Sequence, residues 1–285
     1  MLNDARGRKT RDDRTVKGFG EEWARFDQID IDEDEHRRIF DGYFADFPWK
    51  SIAGASRGID VGAGTGRWAR LMAERVGCLL CVEPSVRAVD AARRNLATST
   101  SCVVVRGAAG ELPIAPASLD FGYIIGVLHH TPDPLFALRD AAATLKPGAP
   151  MLIYVYYAFD NRPRWFRVIW RLSDLVRRFL TRRSAPIRFV VAEIIATTVY
   201  LPLAALTRVM DERGYNVDRV PLSSYRDKSF YTMRTDALDR FGTSIETRFT
   251  AARLIAMMES AGLKDITVAE GPPYWRALGY RQTEY

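Results

Sequence analysis

The chain is poor in the residue types that build disulfide frameworks and metal centres. It has three cysteines and three histidines in 285 residues, and no cluster of His, Asp and Glu has the spacing of metal ligands. An odd number of cysteines cannot form a framework, and Cys78 and Cys81 lie inside an apolar run that is typical of a strand. We therefore predict no metal ion and a reducing, cytoplasmic setting.

Composition excludes several other classes of protein. Apolar residues make up 47% of the sequence and charged residues 27%, which excludes disorder and collagen and allows a large core. Internal repeats and low-complexity tracts are absent. Residues 1–17 are dense in Arg, Lys and Asp without an apolar stretch, so we expect neither a signal peptide nor a membrane span there, and a flexible leader over residues 1–18.

From residue 57 onward, short apolar runs alternate with helical patterns. This alternation predicts right-handed crossovers and a mostly parallel sheet covered on both faces. The predicted strands are 58–61, 78–82, 102–106, 119–125, 151–157, 266–269 and 275–280, and the predicted helices are 67–76, 85–96, 134–145 and 251–260. The expected organisation is therefore a helical N-terminal segment over residues 19–56 and a core formed by residues 57–157 and 249–285.

Residues 158–248 interrupt the alternation and are too long for an ordinary connecting loop. They carry 17 Arg and Lys against 10 Asp and Glu, whereas the whole chain has a net charge of +6, so the basic character belongs to this insertion. We predict an inserted helical lid that takes part in substrate recognition.

Part of the insertion has the pattern of a basic amphipathic helix. Residues 162–188 contain nine arginines and one acid, with apolar residues at helical spacing. Such a helix can lie on an anionic membrane surface, cover an acidic substrate, or pack on the sheet with its arginines solvated. The apolar stretch 194–206 contains Pro202 and is predicted to be too short to span a bilayer.

A glycine-rich turn and an acid follow the first two predicted strands. Gly62, Gly64 and Gly66 are spaced by two, and glycine lets a ligand lie against main-chain atoms. The dinucleotide fingerprint would need a further glycine where Arg67 stands, which disfavours a pyrophosphate. Glu83 ends the second strand, where its carboxylate can accept hydrogen bonds from both ribose hydroxyls of an adenosine. This pattern therefore fits a nucleoside without a diphosphate better than it fits a dinucleotide.

Five blocks in this order resemble the class I S-adenosylmethionine-dependent methyltransferases. The blocks are residues 60–66, 82–85, 107–113, 126–130 and 145–148, and the resemblance covers residues 40–157 closely and the last elements more loosely. It implies a Rossmann-like, doubly wound, mostly parallel α/β sheet with the large helical insertion after the fifth strand, and S-adenosyl-L-methionine as cofactor. The block 128–133 is similar to small-molecule enzymes that methylate quinone precursors.

The resemblance also implies which residues bind the cofactor. In this family an acid just after the third strand often holds the adenine amino group, but the matching position here is Ala108, so a main-chain group or Glu111 would replace it. The implied cofactor-binding residues are Asp60, Gly62, Ala63, Gly64, Gly66, Glu83, Pro84, Ala108, Ala109, Gly126 and Val127.

His129 and His130 are the candidate catalytic residues, because they end the fourth strand, where open α/β sheets bind ligands. A base is needed only when the acceptor atom must lose a proton, and histidine suits that task near neutral pH. In an extended backbone the two rings point to opposite sides, so at most one would face the acceptor. Alternatively, both histidines belong to the family motif and neither of them transfers a proton. The candidate substrate-binding residues are Tyr156, Tyr157, Arg162, Tyr231 and Arg234.

These observations predict an S-adenosylmethionine-dependent enzyme that methylates a small molecule, at oxygen. Two alternatives stay open, namely carbon methylation of a quinone precursor and methylation of a lipid-linked glycan. A cofactor-binding sensor or inactive partner subunit is an alternative of another class. We do not expect a nucleic-acid partner, because neither a base-amine methylation motif after the fourth strand nor an RNA-binding module is present. Peripheral membrane contact through the basic insertion is compatible with a cytoplasmic protein.

Overall fold

A seven-stranded sheet organises the computed structural model, which describes residues 11–52, 54–160, 162–271 and 274–283. The strand order is β3-β2-β1-β4-β5-β7-β6. The strands are β1 (Arg57–Val61), β2 (Cys78–Glu83), β3 (Cys102–Arg106), β4 (Phe121–Ile125), β5 (Pro150–Tyr156), β6 (Leu263–Gly271) and β7 (Tyr274–Arg281).

Strands β1 to β5 run parallel to one another. Strand β7 is antiparallel to both of its neighbours, β5 and β6. Every residue of β4 and β5 is buried, as expected where helices cover both faces of a parallel sheet. The Rossmann-like, mostly parallel fold predicted from the sequence is confirmed. Because parallel strands end at the same edge, the segments after β1, β2 and β4 lie side by side.

Ten α-helices lie in the described residues. They are α1 (Asp13–Arg25), α2 (Glu33–Tyr43), α3 (Arg67–Met72), α4 (Val86–Asn95), α5 (Pro134–Ala143), α6 (Arg164–Leu180), α7 (Ala185–Ile195), α8 (Leu201–Glu212), α9 (Phe230–Gly242) and α10 (Ala251–Ser260). The predicted helical insertion after the fifth strand is present as α6 to α9.

The chain divides into two compact units. The first contains the described residues up to Ile29, Arg37–Ala158 and those from Ile245 onward, and the second contains Asp30–His36 and Phe159–Ser244. The first unit has a core of aromatic and aliphatic side chains around the sheet. The second has its own smaller core, to which α9 contributes Met233, Ala237 and Phe241.

Helix α1 begins inside the segment that the sequence predicts to be a flexible leader. Residues 1–10 lie outside the described part of the chain, but from Asp13 the chain is helical. The Asp12 side chain accepts the Thr15 backbone N–H at 2.9 Å, which makes it an N-cap. The density of charge that suggests a leader therefore includes a helix-capping signal, and the predicted boundary at residue 18 is too late.

Helices α7 and α8 form one continuous helix of 28 residues, Ala185–Glu212, joined by a π-helical turn over Ala196–Tyr200. The π-turn widens the backbone next to Pro202, so the helix continues past the proline. By length and composition alone, this one helix of the described chain could cross a membrane. The expectation that the apolar stretch here is too short rested on residues 194–206 alone and is corrected by this continuity.

Candidate active site

The predicted glycine turn follows β1 with three left-handed glycines. The φ angles of Gly62, Gly64 and Gly66 are +79°, +56° and +78°. A Cβ on Gly62 would lie 2.3 Å from a methyl carbon of Val127, so a side chain there would collide with the segment after β4. Its backbone N–H donates to the carbonyl of Val82, which ties the turn to the end of β2. The turn is thus held closely between the ends of two neighbouring strands.

Glu83 connects the end of β2 to the same turn. One carboxylate oxygen accepts the Gly64 backbone N–H at 3.1 Å, and the other accepts the Ser85 N–H at 2.9 Å, across Pro84. Burial raises the pKa of Glu83 to about 7, although both hydrogen bonds act to lower it. Each oxygen keeps a second lone pair, so the carboxylate can still accept two hydroxyl groups.

Asp60 lies buried in β1, paired with Tyr123 of β4. The tyrosine hydroxyl donates to the Asp60 carboxylate at 3.0 Å. Burial raises the pKa of Asp60 to about 8, so the group is largely protonated at neutral pH. Asp60 therefore supports the base of the glycine turn through a bond inside the protein.

The segment after β3 carries the predicted Ala108 and Ala109, both buried. Ala108 pairs with Glu111 in an isolated antiparallel bridge. The carboxylate of Asp140 on α5 accepts the Leu112 N–H at 2.8 Å and anchors this loop. The loop after β3 is thus a small turn that is anchored through its main chain.

Gly126 and Val127 end β4 and lead into a short 3-10 turn, Leu128–His130. Gly126 has a φ of +79°, and no described atom lies within 4 Å of the position that a Cβ would take. The 3-10 turn places the centres of the His129 and His130 rings 4.2 Å apart. The backbone is not extended at these residues, so the condition under which the two rings would point to opposite sides does not hold.

The two histidines have different surroundings. His129 is fully buried, and its ring stacks on the Tyr156 ring with the two ring centres 3.8 Å apart. Burial, together with the charges of His130 and Arg248, lowers the pKa of His129 well below its usual value. Nδ1 of His130 lies 2.6 Å from the carbonyl oxygen of Ile245. A carbonyl only accepts, so Nδ1 carries the hydrogen and Nε2 holds the lone pair of the neutral ring.

Helix α1 brings two aromatic side chains to this region. The Phe19 ring meets His130 edge-on at 5.1 Å. The Trp23 indole nitrogen lies 3.3 Å from the position of a Cβ on Gly64. The sequence pattern predicts a helix for this aromatic stretch, but no local pattern shows that α1 packs on α4 and so reaches the site.

The predicted substrate-binding residues are divided between the two units. Tyr156 stacks on His129, whereas Tyr157 packs edge-on against Trp275. Both belong to the first unit. In the second unit, Arg162 donates to the carbonyl of Asp218, and the guanidinium of Arg234 lies 5.1 Å from the Tyr231 ring centre. Tyr156 is thus in contact with a predicted catalytic side chain.

Comparisons with known proteins agree with this geometry. The family model described as a methyltransferase domain matches residues 59–153. Uncharacterized methyltransferases of Mycobacterium tuberculosis strain H37Rv and of Mycobacterium bovis are each 31% identical over 196 residues, which cover 67% of this chain and 74% of each relative.

Solved structures share the fold at low identity. A chain from the complex between the Haloferax volcanii Trm112 methyltransferase activator and a methyltransferase aligns over 95% of this chain and 99% of its own length, with a TM-score of 0.59 and 15% identity. A SAM-dependent methyltransferase of Methanosarcina mazei aligns over 82% of this chain and 96% of its own, with a TM-score of 0.50 and 15% identity. With the glycine turn, the acid after β2 and these relatives in place, the chain belongs to the class I S-adenosylmethionine-dependent methyltransferases.

Proposed function

We propose that this enzyme uses S-adenosylmethionine to methylate an oxygen atom of a small molecule, with His130 as the base. The single observation that carries the proposal is the contact between Nδ1 of His130 and the carbonyl of Ile245. It fixes the tautomer in which Nε2 is basic, and oxygen acceptors need a base because they lose a proton.

The residues at the strand ends fit the cofactor. Glu83 has lone pairs for two ribose hydroxyls, and Gly62 and Gly64 let the methionine portion lie against the main chain. The hydroxyl of Thr65 in the same turn is buried and has no hydrogen-bond partner within the described ranges. A buried polar atom of this kind is usually satisfied by a ligand or water.

S-Adenosylmethionine, when bound, supplies an electrophilic methyl group on a sulfonium. The protein has to place the acceptor in line with that group, exclude water and remove the acceptor's proton. Phe19 and Trp23 of α1 are suited to excluding water at His130 and Gly64. Gly126 leaves open space beside the strand end, where a side chain would otherwise intrude.

His129 is better suited to holding the site than to proton transfer. Its ring is fully buried, and its pKa is lowered, so it stays neutral at physiological pH. It stacks on Tyr156, whose other contacts include the guanidinium of Arg248 at 5.1 Å. We therefore assign the base to His130 and a supporting role to His129.

The first experiment identifies the acceptor. Purified protein is incubated with methyl-labelled S-adenosylmethionine and an extract of its source cells, and the label is partitioned between organic and aqueous phases. Aqueous label that resists nuclease and protease supports a soluble small molecule. Organic label favours a quinone precursor or a lipid-linked glycan. Binding of S-adenosylhomocysteine without any transfer of label would favour a non-catalytic sensor and contradict the proposal.

The base assignment is tested with His130→Asn, whose amide N–H can still donate to the Ile245 carbonyl. We expect kcat to fall by about 10²- to 10⁴-fold, because a placed general base contributes that much, and the decline of kcat towards acidic pH to disappear, because a base acts only when it is unprotonated. The affinity for S-adenosylhomocysteine, measured by calorimetry, stays unchanged. An unaltered rate and pH profile would show that His130 is not the base.

Two glycine variants serve as controls for cofactor binding. Gly64→Asp puts a side chain at a φ of +56° and close to Trp23, so it should abolish binding of S-adenosylhomocysteine. Gly54→Ala, at a position with no described atom within 4 Å, should bind normally. A comparison of these two variants with His130→Asn distinguishes a loss of cofactor binding from a loss of the base.

A further inference from the structure

Helix α6 in the second unit has an apolar face that is exposed to solvent. Seven large apolar side chains share one sector of roughly 120° at 3.6 residues per turn. Their exposed fractions are 47% for Trp165, 54% for Val168, 48% for Ile169, 60% for Leu172, 63% for Leu175, 45% for Val176 and 58% for Phe179. Single exposed hydrophobic residues are common, but a contiguous set marks an interaction surface.

The opposite side of α6 contains a buried ion pair. Arg177 and Asp174 form an ion pair at 2.6 Å with both side chains buried. Arg177 also donates to the carbonyl oxygens of Thr243 and Ser244. The helix thus turns this ion pair into its own unit, beside the buried Leu180, and turns the set of seven apolar residues outward.

The long helix formed by α7 and α8 repeats the pattern. One stripe, which includes Ala196, Tyr200 and Ala204, is buried in the core that α9 shares. The residues away from that stripe are also apolar and exposed: Ile187, Val190, Ile194, Val199, Leu201, Leu206 and Val209. The exposed side of this helix is therefore largely apolar, and Thr197, Thr198 and Arg208 are exposed with these residues.

Charge indicates what covers the exposed face of α6. Arg164, Arg167, Arg171 and Arg178 are all exposed and fall in the sector that borders the apolar face on one side. Asp174, the one acid between residues 162 and 188, is bound to Arg177 and Arg178. A second copy of this face would bring arginines against arginines, whereas an anionic surface would pair with them.

We propose that α6 docks on the surface of an anionic lipid bilayer. Its apolar residues enter the boundary between headgroups and acyl chains, and its arginines contact lipid phosphates. The long helix contributes its exposed side without crossing the bilayer. One stripe of this helix, which includes Ala196, Tyr200 and Ala204, is buried in the core that α9 shares, and insertion across the bilayer would expose that core.

The proposal is tested by sedimenting the full-length protein with vesicles. We expect binding to vesicles of phosphatidylcholine mixed with phosphatidylglycerol, little binding to phosphatidylcholine alone, and release at high salt or by alkaline carbonate. Equal binding to both vesicle types, or none to either, would overturn it. Retention in alkaline carbonate would show a membrane-spanning helix and would also overturn it.

Matched variants identify the surface. Arg167→Glu with Arg171→Glu should weaken binding to the anionic vesicles by about tenfold or more, because each basic residue adds attraction to the surface. Leu172→Ser with Leu175→Ser should also weaken it. The controls are Arg93→Glu with Arg94→Glu on α4, and Val103→Ser, which is 49% exposed in the first unit. If the control variants lose as much binding as the α6 variants, the assignment to α6 is wrong.

Two further measurements keep folding and self-association apart from lipid binding. Each variant should keep the circular dichroism spectrum and the thermal unfolding profile of the parent protein, which shows that the second unit is still folded. Quenching of tryptophan fluorescence by brominated lipids should be reduced in Trp165→Phe, because Trp165 lies on the docking face. If the α6 variants change sedimentation velocity without lipid and leave vesicle binding intact, the face is a protein interface and the proposal fails.

Discussion

The proposed role of Glu83 in cofactor binding links that binding to the protonation of its carboxyl group. In the free protein burial raises its pKa to about 7, although Gly64 and Ser85 each donate a backbone N–H to it. Ligand hydroxyl groups that donate to Glu83 favour the charged form and lower its pKa. Binding therefore releases a proton over the pH range in which the free protein is still protonated.

This linkage predicts how affinity varies with pH. Below a pH of about 7, Glu83 must lose a proton before it accepts the ribose hydroxyls, so the affinity for S-adenosylhomocysteine should rise as the pH increases towards 7 and then level off. Calorimetry in buffers of different ionisation enthalpy should show proton release near pH 6. The variant Glu83→Gln should bind weakly at every pH. Affinity that is constant through this range would contradict the ribose assignment.

The two histidines show what a residue's position in sequence leaves open. Both follow β4 in the sequence, so the strand-end rule predicts them at the edge of the sheet where the segments after β1 and β2 also lie. Their different surroundings depend on Tyr156 and Ile245, which are distant in sequence. The choice between them as base therefore needed the folded chain.

At the scale of elements, α1 is the part of the site that the sequence did not assign. Its Gly20 packs closely on Ser85, where a Cβ would lie 2.4 Å from the serine oxygen. Trp23 and Phe19 then reach the glycine turn and His130. The helix contributes its aromatic residues to the site through packing, which no motif records.

Removal of the indole should change the rates of ligand exchange. In Trp23→Ala we expect S-adenosylhomocysteine to associate and dissociate faster, because the side chain beside Gly64 no longer restricts access. Stopped-flow fluorescence measures both rates. The matched control is Trp165→Ala on α6, which should leave them unchanged. If Trp23→Ala behaves like the control, α1 does not control access to the turn.

At the scale of the whole molecule, the candidate site and the excess of basic residues lie in different parts of the chain. All the predicted cofactor-binding residues and both histidines belong to the first unit. The excess of positive charge belongs to residues 158–248. The two ends of the insertion meet in the first unit, where Ala158 donates its N–H to the Phe249 carbonyl at 2.8 Å.

This separation predicts the result of excising the insertion. A variant in which residues 159–244 are replaced by a short glycine and serine linker should keep its affinity for S-adenosylhomocysteine and lose binding to anionic vesicles. Calorimetry and vesicle sedimentation measure the two properties. Loss of cofactor affinity in a variant whose circular dichroism shows a folded core would mean that the insertion helps to hold the cofactor.

The sequence by itself determined the sheet, the glycine turn, the acid after β2 and the presence of the helical insertion. These features follow from local periodicity and from the spacing of motifs, and parallel strands bring their carboxyl ends to one edge of the sheet. Only the tertiary structure decided that α1 reaches the turn, that Ile245 orients His130, and that α6 exposes its apolar face. The physical reason is that periodicity records which residues of a helix are apolar, whereas packing between distant segments decides which face is covered.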